Sequence, residues 1–157
     1  MEAGFSSGVH WNKEKMNKQI IIYNANDFIV SQCATCDIPG YVIIETKQNV
    51  KLLHEISPTN KMFEILATVE KKIYRIIQPE NIYFAKFGEK CKKFHFHVFP
   101  RTKEITERYL EQFPNTKDLN GPQIFDWARR EYKVNEGCLS QKTIDIAEQI
   151  RIHQIIL

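Results

Sequence analysis

The segment Phe94 to Arg101 reads FHFHVFPR, with His95 and His97 one residue apart inside an apolar run. In an extended strand side chains alternate, so His95, His97 and Phe99 share one side while Phe94, Phe96 and Val98 take the other. Strand positions two apart lie about 6.6 to 7 Å from one another, close enough for both imidazoles to touch one phosphate or one metal ion. Lys86, Lys90, Lys92, Lys93 and Arg101 belong to the same hairpin, and cations beside paired imidazoles favour an anionic ligand. They also oppose protonation of the rings, which leaves a neutral imidazole lone pair able to attack phosphorus. Two plainer readings stand beside this one. The histidines are either tolerated polar residues on a half-exposed strand, or metal ligands of the His-x-His kind; candidates for a third ligand, His10, His54 and His153, are scattered, which ranks phosphate chemistry ahead of metal.

Two further features bear on the same chemistry. Gly88, at the turn into the histidine strand, lets the backbone approach a ligand where a side chain would block it, although ordinary turn chemistry accounts for a glycine there as well. Cys33-Ala34-Thr35-Cys36 has zinc-ligand spacing, but no second Cys/His pair follows at finger-like distance. Buried or loop thiols are the simpler account of it, and Cys138 reads as an incidental loop thiol.

The elements that must carry these residues follow from pattern. QIIIY (19–23) and DFIVSQ (27–32) are β-branched and aromatic runs separated by Asn24-Ala25-Asn26, and YVIIET (41–46) follows the turn signal Pro39-Gly40. A helix is expected next, with Ser57 as N-cap, Pro58 at the first helical position, and Met62, Leu66, Val69, Ile73 and Ile76 at helical spacing until Pro79 ends it. IYFAKF (82–87) and KFHFHVF (93–99) read as an antiparallel strand pair. Beyond Pro100, EITERYLEQF, GPQIFDWARREY and SQKTIDIAEQIRIHQIIL are helical in pattern, with Pro122 and Ser140 as starts. The run Glu70-Lys71-Lys72 falls on the polar face of the long helix as a solvated surface. The organisation expected is a polar N-terminal arm over residues 1–18 and one domain over 19–157, divided into a core over 19–101 and a helical extension over 102–157.

Composition narrows the function classes. With 157 residues, 43% of them hydrophobic, the chain suffices for one domain with a core and is marginal for two. A net charge of +3, from 22 Lys+Arg against 19 Asp+Glu, lacks the basic excess of a duplex-DNA binder. No window approaches the roughly 18 apolar residues of a membrane span, and MEAGFSSGVHWNKEKMNKQ has no secretory pattern. A cytoplasmic protein with free thiols is expected, with no membrane partner and no duplex DNA.

The order PGYVIIETKQNVKLLHEIS, a long helix, then IYFAKFGEKCKKFHFHVFPR resembles the histidine triad (HIT) superfamily of nucleotide hydrolases and transferases. The likeness is to bacterial HIT-like diadenosine polyphosphate hydrolases over about residues 20 to 101, and GPQIFDWARREY is similar to C-terminal segments of some bacterial members. The family's His-φ-His-φ-His-φ-φ signature, φ being apolar, reads here Lys93-Phe94-His95-Phe96-His97-Val98-Phe99, with lysine in place of the first histidine. The fold implied is α+β and HIT-like, a mostly antiparallel five-stranded sheet with a long crossing helix and a helical C-terminal segment.

By position, the resemblance implies that His95 is the nucleophile, forming a nucleotidyl-histidine intermediate at the α-phosphorus, and that His97 binds the phosphate oxygens. Gly88, Lys90 and Lys93 are implied as phosphate-binding, and Phe28, Cys33 and Ala34 as the nucleotide-binding wall. Cys33 stands where many members place a ribose-holding aspartate, and Asn49 where zinc-containing members carry a histidine, so no metal and no other cofactor is expected. The implied substrate is a dinucleoside polyphosphate or another nucleoside phosphate conjugate; the alternative is a nucleotide-binding or regulatory module without turnover. A homodimer that pairs the long helix is compatible with the apolar stripe on 62–77, and so is a monomer.

Overall fold

The computed structural model describes residues 20–89 and 91–152. The expected N-terminal arm, the last five residues and Lys90 lie outside the described residues. Five strands form one antiparallel sheet: β1 (Ile21–Asn24), β2 (Phe28–Gln32), β3 (Val42–Thr46), β4 (Asn81–Ala85) and β5 (His95–Arg101), in the order β1-β2-β3-β5-β4. The expected α+β architecture is observed. Four helices accompany the sheet among the described residues: α1 (Thr59–Ile77), α2 (Lys103–Gln112), α3 (Gly121–Glu131) and α4 (Gln141–Ile150).

The alternation of β2, β3 and β5 creates two different faces. One carries Phe28 and Val30, Val42 and Ile44, and Phe94, Phe96 and Val98; α1 covers it with Met62, Ile65, Val69 and Ile73, all fully buried. Each such aliphatic side chain contributes roughly 1.5 to 3 kcal/mol by leaving water. α4 returns to this side, where Ile150 and Ile152 join the same core and the Ile152 amide donates to the Ile22 carbonyl at 2.8 Å. The other face holds the second core: Tyr41, Phe99, Ile105, Tyr109, Ile124, Phe125, Trp127 and Ala128, with α2 and α3 laid over it. The C-terminal helices therefore divide, two on the histidine face and one beside the long helix.

Local chemistry explains the helix boundaries. Thr102, Asn120 and Ser140 each accept a backbone N–H of the first turn through a side-chain oxygen, and Pro122 occupies the opening turn of α3, where its missing N–H costs nothing. The start of α1 differs from expectation: Pro58 rather than Ser57 is the N-cap, its backbone extended at φ −80° and ψ 133°, and helical geometry begins at Thr59. The β4–β5 connection is longer than the sequence suggests. β4 stops at Ala85, opposite His97, and β5 starts at His95, opposite Glu45, so Lys86, Phe87, Lys93 and Phe94 belong to the connecting loop. Gly88 turns that loop with φ +81°, and Gly40 turns the chain into β3 with φ +74°, where a β-carbon would also collide with Ile77 Cδ1.

Candidate active site

β5 sits inside the sheet, and its register fixes the histidines: His95 lies opposite Glu45 and His97 opposite Ile43 on β3. Both rings project from the same face, as alternation requires. The rings meet directly, Nε2 to Nε2 at 3.2 Å. Each is anchored through its other nitrogen, His95 Nδ1 to the Lys93 carbonyl at 2.8 Å and His97 Nδ1 to the Tyr41 hydroxyl at 2.8 Å. A carbonyl only accepts, so His95 Nδ1 carries a hydrogen. With both rings neutral the remaining positions follow: His97 donates through Nε2 to the His95 Nε2 lone pair, and the Tyr41 O–H donates to His97 Nδ1. His95 therefore presents a lone pair, and His97 presents an N–H beside it.

Electrostatics agree with that assignment for His97. Burial foremost, then His95 and then Arg129, hold its pKa down at about 4, so it is a neutral donor near neutral pH. The Tyr41 phenol, fully buried, is pushed well above its ordinary range by desolvation and stays protonated. Aromatic rings close the site on the remaining sides: Phe125 of α3 and Phe87 of the β4–β5 loop each lie 5.9 Å from the His97 ring, and stack on each other at 5.8 Å.

The histidines open into a cleft of about 330 Å³, lined also by Ser31, Cys33, Ala34, Thr35, Tyr41, Ile43, Glu45, Cys91 and Arg129. That volume lies at the lower end of small-molecule sites. A larger hollow of about 570 Å³ lies elsewhere, between α1, α2 and α4, and is lined by isoleucines together with Asp37, Glu104, Arg108 and Lys142; none of the described histidines or cysteines borders it. Cys33 sits at the wall of the histidine cleft, with Cys36 buried behind it three residues on. The Cys36 thiol, by hydrogen bonding to Cys33, lowers the Cys33 pKa to about 6 against the opposing effect of burial. Cys36 is driven the other way, far above the usual thiol range, first by that same hydrogen bond and then by burial. Both shifts run in the direction that leaves the shared proton on Cys36.

Some of the residues singled out in the sequence meet in this cleft and others do not. His95, His97, Cys33 and Ala34 come together in one cleft. Phe28 does not: it is fully buried on the opposite face beneath α1, because in register it pairs with Thr46, one residue out of phase with the histidine side. This corrects its expected place in the nucleotide-binding wall. The expected cation cluster also disperses. The Lys86 ammonium lies 5.4 Å from the Phe94 ring, on the α1 side; Arg101 faces Glu80 at 3.7 Å; Lys93 is bound to Glu45 at 3.2 Å. Gly88 makes its turn without lining the cleft, and Lys90 lies outside the described residues.

Positive charge comes instead from Arg129, one turn after Phe125 on α3. Tyr41, Glu45 and Arg129 are the residues that sequence reasoning missed. The Phe125/Arg129 spacing of four was the available signal, since such residues share a helix face. Of the scattered histidines, His54 is exposed in a 3₁₀ turn at Leu53–Glu55, while His10 and His153 lie outside the described residues. Among the described residues no group of three or more His, Cys, Asp or Glu side chains is arranged to hold a metal ion, and no helix is long and apolar enough to cross a membrane.

The sequence matches no protein-family model and no curated protein. Solved structures do resemble it. One is a HIT-like protein involved in cell-cycle regulation from Bartonella henselae, crystallised with an unknown ligand, at TM-score 0.54 and 16% identity over 88% of this chain and 90% of that one. Another is a hypothetical histidine triad nucleotide-binding protein from Sulfolobus tokodaii, at TM-score 0.50 and 12% identity over 88% and 89%. Over most of its length, and at low sequence identity, the chain thus has the fold of HIT-like proteins.

Proposed function

We propose that the protein is a nucleotide hydrolase or nucleotidyl transferase that cleaves at the α-phosphate of a dinucleoside polyphosphate or another nucleoside phosphate conjugate. The observation that carries this reading is the pair of imidazoles meeting at 3.2 Å in a cleft, each fixed by its Nδ1. An entering phosphoryl oxygen takes the hydrogen bond that His97 Nε2–H gives His95, and so releases the His95 lone pair toward phosphorus. His95 Nε2 forms the P–N bond as the leaving phosphate departs, and water or another acceptor then breaks it, one displacement split into two. His97 and Arg129 face the charge on the transferring group. Cys33 and Ala34 form the wall toward sugar and base.

One observation favours a second reading, a nucleotide-binding module with little turnover. Lys93, at the position of the signature's first histidine, is tied to Glu45, so its ammonium is engaged away from a leaving group, and the carboxylate adds negative charge at the cleft edge. AMP release from diadenosine polyphosphates and from adenosine phosphoramidate separates the two readings. Wild type should release AMP and His95→Ala should lose at least about a hundredfold in rate. Equal rates would remove His95 as nucleophile, and tight binding with no product from wild type would select the module.

A further inference from the structure

The geometry points to Cys33 and Cys36 as a dithiol that exchanges with small-molecule disulfides inside the cleft, Cys33 attacking and Cys36 resolving. Both sulfurs belong to a four-residue segment, Cys33-Ala34-Thr35-Cys36, whose first three residues line the cleft that holds the histidines. Neither is a surface thiol, since Cys33 is 8% and Cys36 4% exposed. The cleft is therefore the route of approach, and it reaches Cys33 first.

The backbone on both sides is held in place. The Cys33 amide donates to the Tyr41 carbonyl at 2.7 Å, the Val134 amide donates to the Thr35 carbonyl at 3.0 Å, and Cys36 bridges to Lys133. The segment is thus fastened to β3 and to the chain after α3, and the two side chains stay neighbours. The Cys36 S–H donates to the Arg129 carbonyl at 3.7 Å, which turns the inner thiol's hydrogen to a backbone acceptor. Thr35 Oγ1 stands 3.7 Å from Cys33 Sγ as a further donor. The outer sulfur thus faces the cleft while the inner one is held to a backbone acceptor, the division between attacking and resolving sulfur that exchange requires.

The chemistry balances with an external disulfide as oxidant. The Cys33 thiolate attacks one of its sulfurs, forming a mixed disulfide and expelling the other sulfur as a thiolate. That thiolate takes the Cys36 proton. The Cys36 thiolate then attacks the Cys33 sulfur, forming the internal S–S bond and expelling the second external thiolate. The pair loses two electrons and the external disulfide gains them. None of these steps uses the histidines or a nucleotide, so the inference stands apart from the proposed phosphoryl chemistry and fails separately from it.

The test uses the full chain with oxidised glutathione, followed by alkylation under acid quench and peptide mass mapping. The expected product in wild type is a Cys33–Cys36 disulfide. Cys36→Ser should stop at a glutathione adduct on Cys33, and Cys33→Ser should take up glutathione at Cys36 at least about tenfold more slowly. Mapping of iodoacetamide alkylation in unmodified protein gives a reading free of variants: the Cys33 rate should level off by about pH 7, while that of free N-acetylcysteine in the same mixture continues to rise past about pH 8. Persistence of a Cys33 adduct in wild type without an internal disulfide would overturn the assignment, as would a Cys33 rate that rises with pH in parallel with free N-acetylcysteine.

Discussion

Sealing a tyrosine hydroxyl from solvent costs a few kcal/mol unless it finds a partner, and the Tyr41 hydroxyl finds His97 Nδ1. That bond holds the ring in the tautomer whose Nε2 carries hydrogen. Tyr41→Phe should therefore lower kcat for AMP release by about tenfold, the worth of one buried hydrogen bond, with KM little changed; steady-state kinetics read both. His97 gives a second prediction at this scale. Its folded pKa of about 4 lies below the ordinary 6.5, so between those two values the unfolded chain binds a proton that the folded chain does not. Stability should fall as pH drops from about 6.5 to about 4, by up to about 3 kcal/mol, and this contribution is flat outside that window. Urea unfolding at about pH 7 and about pH 4.5 should show a smaller loss in His97→Gln than in wild type. The histidine pair was legible in the sequence because period-two alternation fixes a shared side. Tyr41 was not, since its meeting with His97 depends on how the chain enters β3.

Among the elements, α3 carries the charge that the β4–β5 hairpin was expected to supply. It lays Phe125 against His97 and extends Arg129 to the cleft from the same helix face. Arg129→Ala should raise the KM of an anionic nucleotide by about tenfold and weaken the salt dependence of binding, with folding little affected because the side chain is only half-buried. Titration of binding at low and high salt checks it. The helix itself was readable from Pro122 and the apolar spacing of Ile124, Phe125 and Ala128. Its destination was not, because periodicity shows that a helix has a buried face without saying which side of a sheet receives it. The same limit explains Phe28: the strand was recognised, but the register that turns its ring toward α1 is a pairing between β2 and β3 that no local pattern encodes.

At the scale of the molecule, the sheet is a partition. One face is filled by α1 and α4 and serves stability; the other is only partly filled by α2 and α3, and the cleft is what their packing leaves open. The α+β class and the five strands followed from element order in the sequence, whereas the insertion of β5 between β3 and β4 did not, although it alone brings the histidines beside Tyr41 and Glu45. The account turns on His95 taking a nucleotidyl group. Wild-type protein mixed with diadenosine polyphosphate, quenched in alkaline denaturant to preserve an acid-labile P–N bond, and mapped by mass spectrometry tests this directly. An adenylyl group on the peptide containing His95, absent from His95→Ala, is the predicted result; AMP produced at the wild-type rate by His95→Ala, with no adduct on any histidine, would contradict it.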